Sequence, residues 1–242
     1  MSSPTKHFVN LKPNIIHTWL VNFDDKDEDA INKYYYLLSE DEKKRASKYK
    51  FHKDKRCYII TKGALRLLSE RYLNIDARAI TFDYGKYGKP DFSFNTNLKF
   101  NISHSGDILA LSFVKEFDIG VDIEKIKDNF DVFEIASNFF STLEIETLKK
   151  VPKEKQVEYF YRCWTRKESF IKAKAKGLSF PLDSFSVCIN SDKKTELLET
   201  KWDAAEKHQW KLFTFSHQPD YLGAISIKGD IKTVEYFSFN ND

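Results

Sequence analysis

The sequence predicts an α+β fold of two similar lobes with a cleft between them, and two observations support this prediction. A Ser-x-x-Glu capping box that opens a helix occurs twice, at residues 39–42 and 141–144, each time between a strand pattern and a long helix. Only 8 Gly and 6 Pro interrupt the 242 residues and no linker separates the halves, so the halves should pack together. We expect a pseudo-twofold monomer, produced by duplication, with an N-terminal lobe at 1–116 and a C-terminal lobe at 117–242.

The elements follow the same order in both halves. In the first half the patterns predict a strand at 17–23, a helix opened by the capping box, a helix at 54–72, and antiparallel strands at 100–102 and 108–114 joined by a Ser-Gly-Asp turn. In the second half they predict a strand at 117–124, the second capping box, a helix at about 155–176, and strands near 185–189, 210–215 and 222–227. We expect residues 190–242 to close the second lobe.

Composition excludes several classes of protein. With 41% hydrophobic and 31% charged residues the chain can bury a full core, and a net charge of only +3 is a poor basis for a nucleic-acid binder. The longest mostly apolar stretch, 108–114, is too short to span a membrane, and the first residues lack a secretory signal, so we expect a cytoplasmic protein without membrane contact. The three cysteines are widely spaced, and we expect buried thiols.

The strand FDIGVDIE at 117–124 alternates apolar and polar residues, which places Asp122 and Glu124 on one face. Two strand positions are about 6.6 Å apart, and two carboxylates at that distance repel by roughly 2 to 3 kcal/mol. A cation between them would remove this cost. The alternative is a solvated strand face with two unrelated acids.

The helix at 155–176 carries an apolar stripe, and Glu168 falls on its edge, where a carboxylate is costly to bury. It should therefore be paired with lysine, protonated or bound to a metal. An ordinary helix pair with Lys172, one turn later, is the alternative. Together Asp122, Glu124 and Glu168 form an all-oxygen set, which favours Mg²⁺ and phosphate chemistry. A basic window at 43–56 supplies candidate cations, although a solvated helix face explains it equally well.

Four motifs in this order resemble one family: GKP at 88–90, FNISHS at 100–105, GVDIE at 120–124 and WTRKESFIK at 164–172. Similar segments at 39–68 and 177–187 extend the match, and the chain resembles the surfactin-synthetase-type (Sfp-type) 4′-phosphopantetheinyl transferases. The resemblance implies a two-lobed monomer that binds coenzyme A and Mg²⁺ in its cleft. It also implies that the 4′-phosphopantetheine of coenzyme A is transferred to a serine of an apo acyl or peptidyl carrier protein, with release of adenosine 3′,5′-bisphosphate.

The same resemblance assigns the site residues. The expected metal ligands are Asp122, Glu124 and Glu168. Lys172 matches a lysine that assists catalysis near the phosphates. The expected coenzyme A contacts are Arg45, Arg56, Lys89, Ser103 and His104. Glu144 matches a proposed general base, although its place in the capping box explains it structurally, and Glu168 or a metal-bound water competes for the role. Phe139 and Phe140 could contact the carrier protein or belong to the core.

Two other functions remain open at this stage. A Mg²⁺-dependent nuclease also uses acids and a lysine, but such nucleases carry the acid and lysine two apart on a strand, whereas Glu168 and Lys172 are four apart on a helix. A coenzyme A or carrier-binding protein without turnover is the non-enzymatic alternative. No GxSxG, GxGxxG or P-loop motif occurs, which disfavours a hydrolase, a dinucleotide site and a P-loop nucleotide site.

Overall fold

The computed structural model describes residues 9–239 and confirms the α+β class, with two lobes built on two main sheets. The first part of the chain forms five strands and three helices: β1 Ile15–Asn22, α1 Glu28–Leu37, α2 Glu40–Ala46, α3 His52–Leu73, β2 Phe82–Tyr84, β3 Pro90–Phe92, β4 Leu98–Ser105 and β5 Ile108–Lys115. The second part forms β6 Ile119–Lys125, α4 Val132–Phe139, α5 Thr142–Lys149, α6 Gln156–Ala173, β7 Phe185–Val187, β8 Leu197–Thr200, β9 Lys211–His217, β10 Tyr221–Ile227 and β11 Thr233–Ser238.

The predicted elements form, with shifted ends. Both capping boxes are present: the Ser39 hydroxyl accepts the Glu42 N–H and the Ser141 hydroxyl accepts the Glu144 N–H, so each box opens its helix. Helix α6 ends at Ala173, three residues earlier than expected, because the chain turns into a left-handed conformation at Ala175. The sequence patterns missed α1 and α4, which begin at the aspartate caps Asp27 and Asp131.

The strand order corrects one expectation about the end of the chain. The sheet of the second lobe has the order β6-β10-β9, whereas β11 pairs in parallel with β1 in the sheet β11-β1-β5-β4. The last strand therefore belongs to the sheet of the first lobe, and residues 190–242 do more than close the second. A boundary at residue 116 stays a prediction.

The two sheets meet where β4 runs beside β6. Side chains of β4 bind the backbone of β6: Asn101 Oδ1 accepts the Val121 N–H at 2.9 Å, and Ser105 Oγ accepts the Lys125 N–H at 3.1 Å. Beneath this seam lies a shared core that takes apolar side chains from both sheets, among them Ile108 and Val121. Of the predicted site residues, Ser103 of β4 meets Asp122 of β6 across this seam, and Glu124 meets Ser105.

Two of the three cysteines are buried in the fold. Cys163 and Cys188 are buried as predicted, while Cys57 is only half-buried, and all three are free thiols. Of the helices described between residues 9 and 239, none combines the length and apolarity needed to cross a bilayer.

Candidate active site

A glycine lets the acidic strand approach helix α6 closely. A Cβ added to Gly120 would lie 1.9 Å from the Ser169 carbonyl oxygen and 2.4 Å from the Ala173 nitrogen, so only glycine fits between β6 and α6. The strand therefore lies directly on the helix backbone. This contact brings Asp122 and Glu124 from β6 to the same place as Glu168 and Lys172 from α6.

Asp122 is buried, with 3% of its surface exposed, and it bridges three elements. Its Oδ1 accepts hydrogen bonds from Ser103 Oγ at 2.9 Å and from Lys172 Nζ at 2.7 Å. Its Oδ2 is buried and has no hydrogen-bond partner. A buried carboxylate oxygen without a donor is costly, so this oxygen is available to a cation or a ligand donor.

Lys172 pairs with the strand and not with its helix neighbour. Its Nζ binds Asp122 Oδ1 and donates to Ser103 Oγ at 2.9 Å. The alternative prediction was an ordinary helix pair between Glu168 and Lys172. The structure shows no ion pair between these two side chains in the part of the chain that it describes. The lysine instead links α6 to β6 and β4, at the seam between the lobes.

Glu168 has the environment that the apolar stripe predicts. Its Oε1 is buried without a hydrogen-bond partner. Desolvation raises the pKa of Glu168 to about 7, the Asp122 carboxylate adds to the rise, and the Lys172 ammonium opposes it. Without a bound cation this side chain is therefore partly protonated near neutral pH.

Glu124 is the third acid of the set. Its Oε2 accepts a hydrogen bond from Ser105 Oγ at 2.6 Å. Desolvation raises its pKa, and the Ser105 hydrogen bond partly offsets this effect. Ser105 was not assigned from the sequence, although the signal was present: Ser103 and Ser105 share the spacing of Asp122 and Glu124, so two serines of β4 meet two acids of β6.

The acidic set fits a hard cation in its chemistry, although no preformed metal cluster is present. Across residues 9–239, no three His, Cys, Asp or Glu side chains come together in a ready metal-binding arrangement. The two unpartnered buried oxygens, Asp122 Oδ2 and Glu168 Oε1, are nevertheless the kind of ligand that Mg²⁺ takes. The Lys172 ammonium supplies the only positive charge bonded to these acids among the described contacts.

His104 follows Ser103 on β4 and is exposed. Its ring packs edge-on against Phe23, with centroids 6.1 Å apart. Partial desolvation by the surrounding protein lowers the pKa of His104, and the Lys172 charge acts in the same direction. His104 therefore favours the neutral imidazole at pH 7, which can donate one hydrogen bond and accept another.

The two arginines of the basic window differ in availability. Arg45 on α2 is exposed, with its guanidinium 5.6 Å from the centre of the Tyr58 ring. Arg56 on α3 donates to the carbonyl oxygens of Phe23, at 3.0 Å, and Lys26, so it anchors the loop after β1. Arg45 is free to meet a ligand, whereas the guanidinium of Arg56 is already committed to the protein backbone.

Lys89 lies in the turn between β2 and β3 and is half-buried. Its Nζ donates to the Ile119 carbonyl oxygen at 3.0 Å and to the Ala173 carbonyl oxygen at 3.4 Å. Burial lowers its pKa. Beside it, an open groove of about 200 Å³ is lined by the hairpin turn, the middle of β4 and Lys172, so the predicted Lys89 and Lys172 border one groove.

Glu144 lies in the interior of the second lobe, where both of its carboxylate oxygens accept hydrogen bonds. Only 1% of its surface is exposed. Its Oε2 accepts from the Ser141 N–H and binds Lys167 Nζ, both at 2.8 Å, and its Oε1 accepts the Val187 N–H at 2.7 Å. These contacts disfavour the predicted role as general base, because the carboxylate is bonded on both oxygens and closed to solvent.

The first lobe repeats this arrangement at its own capping box. Glu42 Oε2 accepts the Ser39 N–H at 3.0 Å and binds Arg66 of α3 at 2.8 Å. Glu42 and Glu144 thus occupy the same position in two capping boxes, each tied to a cation of the following long helix. The parallel supports the internal duplication and gives Glu144 a structural role.

Several buried groups around α6 were not predicted. Lys167 Nζ also donates to the Leu182 and Phe185 carbonyls at 2.8 and 2.7 Å, and Arg166 pairs with Asp192 at 2.6 Å. The sequence does contain a signal for these groups: Arg166 and Lys167 are consecutive cations in an otherwise apolar part of the helix, and buried cations require buried partners. Of the two phenylalanines, Phe140 is in the core and Phe139 is 38% exposed.

Comparisons with known proteins identify the family. Residues 118–226 match the 4′-phosphopantetheinyl transferase superfamily, and residues 26–115 match the family described as 4′-phosphopantetheinyl transferase, N-terminal. A 4′-phosphopantetheinyl transferase of Bacillus subtilis is 32% identical over 200 residues, which cover 79% of this chain and 87% of that protein. The 4′-phosphopantetheinyl transferase psf-1 of Bacillus pumilus is 32% identical over 189 residues, 78% of each chain.

The chain therefore belongs to the 4′-phosphopantetheinyl transferase superfamily. Within it the chain is of the Sfp type: the 4′-phosphopantetheinyl transferase Sfp of Bacillus subtilis strain 168 is 36% identical over 160 residues, 66% of this chain and 70% of that protein. Enzymes of this class use coenzyme A to transfer phosphopantetheine to carrier proteins.

Proposed function

We propose that the protein transfers the 4′-phosphopantetheine of coenzyme A to a serine of an apo acyl or peptidyl carrier protein, in a Mg²⁺-dependent reaction that releases adenosine 3′,5′-bisphosphate. The observation that carries the proposal is the seam between the lobes, where Glu168 lies close enough to Asp122, Glu124 and Lys172 for their charges to act on it, and where Lys172 bonds Asp122. Two buried carboxylate oxygens there lack partners, and a cation on a diphosphate would satisfy both.

In this proposal Asp122, Glu124 and Glu168 hold Mg²⁺. The chemistry that Mg²⁺ supplies in such a site is neutralisation of charge on the diphosphate of coenzyme A. Lys172 bears an ammonium at the same oxygens and donates to the phosphoryl oxygens as their charge grows. Ser103 fixes the Asp122 carboxylate through its 2.9 Å hydrogen bond.

The serine hydroxyl of the carrier must lose a proton as its oxygen attacks the β-phosphorus. We assign Glu168, directly or through a water molecule, as the proton acceptor, because Glu144 has no free oxygen in its interior position. The bond from the β-phosphorus to its bridging oxygen breaks, and adenosine 3′,5′-bisphosphate leaves with that oxygen. The new bond joins the serine oxygen to the phosphorus of phosphopantetheine.

We further propose that Arg45, Ser103 and His104 contact coenzyme A. Arg45 and His104 are exposed, and Ser103 follows Ile102, which lines the groove beside Lys89. The side chains of Arg56 and Lys89 are bound to backbone carbonyls, so any contact of these two residues with coenzyme A would use other atoms. Phe139 is the candidate for carrier contact, because Phe140 is buried. A cytoplasmic monomer remains our proposal for location and assembly.

The test incubates the purified chain with apo carrier protein, coenzyme A and Mg²⁺ and weighs the carrier by mass spectrometry. We expect a mass gain of one phosphopantetheine group, which EDTA prevents. Asp122→Asn should abolish the gain. Asp128→Asn, at an exposed aspartate three residues after the same strand, is the matched control and should leave it unchanged. Transfer in EDTA, or by Asp122→Asn at the wild-type rate, would refute the metal assignment, and coenzyme A binding without transfer would refute the activity.

A further inference from the structure

The hairpin formed by β2 and β3 reaches from the first lobe to the second. At its turn, Tyr87 packs over Gly177, where an added Cβ would lie 3.2 Å from the Tyr87 Cβ. Two residues later Lys89 sends its ammonium into the junction between β6 and α6. The hairpin therefore contacts the second lobe at two points: at Gly177, just after α6, and at the Ile119 and Ala173 carbonyls between β6 and the end of α6.

The two acceptors of Lys89 are the terminal carbonyls of two different elements. Ile119 is the first residue of β6 and Ala173 is the last residue of α6. The last carbonyls of a helix have no intrahelical donor and carry the negative end of the helix dipole, so an ammonium at this end is favourable. The same ammonium reaches the strand and thereby joins the helix end to the strand start.

The Lys89 contacts lie beside the close approach of β6 to α6. Gly120 follows Ile119, and its missing side chain lets β6 touch the backbone at Ala173. Gly120 thus allows β6 to approach α6 closely, while Lys89 of the first lobe donates hydrogen bonds to both elements at the same place. α6 also packs on β6 and β10 along its length, and the two contacts at its last turn add to this packing in restricting movement of the helix end along the strand.

The residues next to these anchors are the acidic set and its lysine. Lys172 precedes Ala173, and Asp122 follows Ile119 by three positions. The Lys172 Nζ to Asp122 Oδ1 distance of 2.7 Å therefore depends on the relative position of the two elements that Lys89 joins. A displacement of about 1 Å in a reacting group costs about 100-fold in rate.

We propose that Lys89 is a positioning residue whose ammonium ties α6 to β6 across the lobe junction, so that its side chain sets the position of Lys172 rather than binding a phosphate of coenzyme A. The inference deepens the proposed function and, in its kinetic consequence, rests on it. Burial of Lys89 fits a tie better than an open phosphate site, since its donors already meet two carbonyl oxygens at 3.0 and 3.4 Å.

The kinetic test compares Lys89→Met and Lys89→Arg with Lys86→Met in the transfer assay. Lys86 is exposed on the same hairpin, and its ammonium lies over the Tyr87 ring, 5.4 Å from the ring centre, so its variant loses the same charge while the two carbonyl contacts of Lys89 remain. We expect Lys89→Met to lower kcat about 10- to 100-fold while the KM for coenzyme A changes by less than about 3-fold. Lys89→Arg should recover part of kcat, because a guanidinium can donate to both carbonyls, and Lys86→Met should behave as wild type.

The opposite kinetic pattern would overturn the proposal. If Lys89→Met raised the KM for coenzyme A about 10-fold or more with kcat unchanged, and if this defect grew weaker at high salt, Lys89 would be a phosphate-binding cation. A loss of kcat that arginine did not relieve would also contradict a tie made by donation to carbonyls.

A second measurement needs neither substrate nor activity. Hydrogen exchange of the metal-free protein, followed on peptides that cover residues 119–122 and 172–176, should be faster in Lys89→Met and unchanged in Lys86→Met. Unchanged exchange in Lys89→Met would overturn the tie even if the enzyme is active. Faster exchange with wild-type kcat would make Lys89 merely structural and would overturn its positioning role. If the wild type shows no transfer, the proposed function fails, while the exchange result still decides whether the tie exists.

Discussion

Replacing Glu168 with glutamine should stabilise the metal-free protein at pH 8 and have little effect at pH 5. The reason is the burial of its carboxylate beside Asp122, which raises the pKa of Glu168 from its ordinary value of 4.5 to about 7. Glutamine keeps the shape of the side chain and removes the charge. The variant therefore removes the cost of ionising Glu168 inside the protein.

The sign follows from the proton balance. Below pH 4.5 the carboxyl is protonated in both states and contributes nothing. Between 4.5 and about 7 the folded protein keeps the proton that the unfolded chain has lost, so stability falls by about 1.4 kcal/mol per pH unit. Above about 7 the full cost of about 3 kcal/mol applies, and Glu168→Gln should gain about 2 to 3 kcal/mol at pH 8 but less than about 1 kcal/mol at pH 5.

The assay is urea unfolding followed by tryptophan fluorescence, in EDTA, at pH 5, 6, 7 and 8. Glu154→Gln is the matched control, because Glu154 is an exposed glutamate just before the same helix. Its unfolding free energy should track the wild type at every pH. A gain in Glu168→Gln that did not vary with pH, or a loss at pH 8, would refute the reasoning that desolvation raises the pKa of Glu168.

Three further substitutions test the packing around the site by urea unfolding. Gly120→Ala should destabilise the fold by about 3 kcal/mol or more, since its Cβ would overlap the backbone of α6, whereas Gly85→Ala, whose Cβ would meet one atom at 3.6 Å, should not. Glu144→Gln should cost about 3 to 5 kcal/mol, because it leaves the buried Lys167 ammonium without its counter-charge, while the folded enzyme keeps its turnover. Ala175→Gly should add about 0.5 to 1 kcal/mol, since Ala175 has a φ of 51°.

Each of these has a contrary outcome. A stable Gly120→Ala protein would mean that β6 and α6 can separate without cost. Lost turnover with unchanged stability in Glu144→Gln would restore its role as general base. A less stable Ala175→Gly protein would show that the extra conformational entropy that glycine gives the unfolded chain outweighs the relief of backbone strain at the end of α6.

Local patterns predicted much of the fold and of the site. Both capping boxes form, and the alternation in β6 places Asp122 and Glu124 where both contact serines of β4. Glu168 was predicted from the cost of an acid on an apolar helix edge, and its buried oxygen and raised pKa fit that cost. Periodicity and capping depend on neighbours only a few residues away, so local patterns suffice to place these side chains, while their roles in metal binding and catalysis stay predictions.

The rest depends on contacts between distant residues. Lys172 pairs with Asp122, fifty positions earlier, and not with the glutamate one turn before it. In the sequence Arg56 was one of several interchangeable cations. Only the fold shows that its guanidinium donates hydrogen bonds to backbone carbonyl oxygens. The place of β11 beside β1 joins the two ends of the chain, which no local pattern encodes. Tertiary packing alone decides such pairings.

The most direct test of the account is whether the acids at the lobe junction bind a divalent cation together. Mn²⁺ can replace Mg²⁺ on oxygen ligands and is visible by electron paramagnetic resonance, so free and bound ion can be counted as it is titrated into the protein with coenzyme A. We predict one bound Mn²⁺ per chain, lost in the double variant Asp122→Asn, Glu168→Gln and kept in Asp128→Asn. Equal Mn²⁺ binding by the double variant and the wild type would contradict the account.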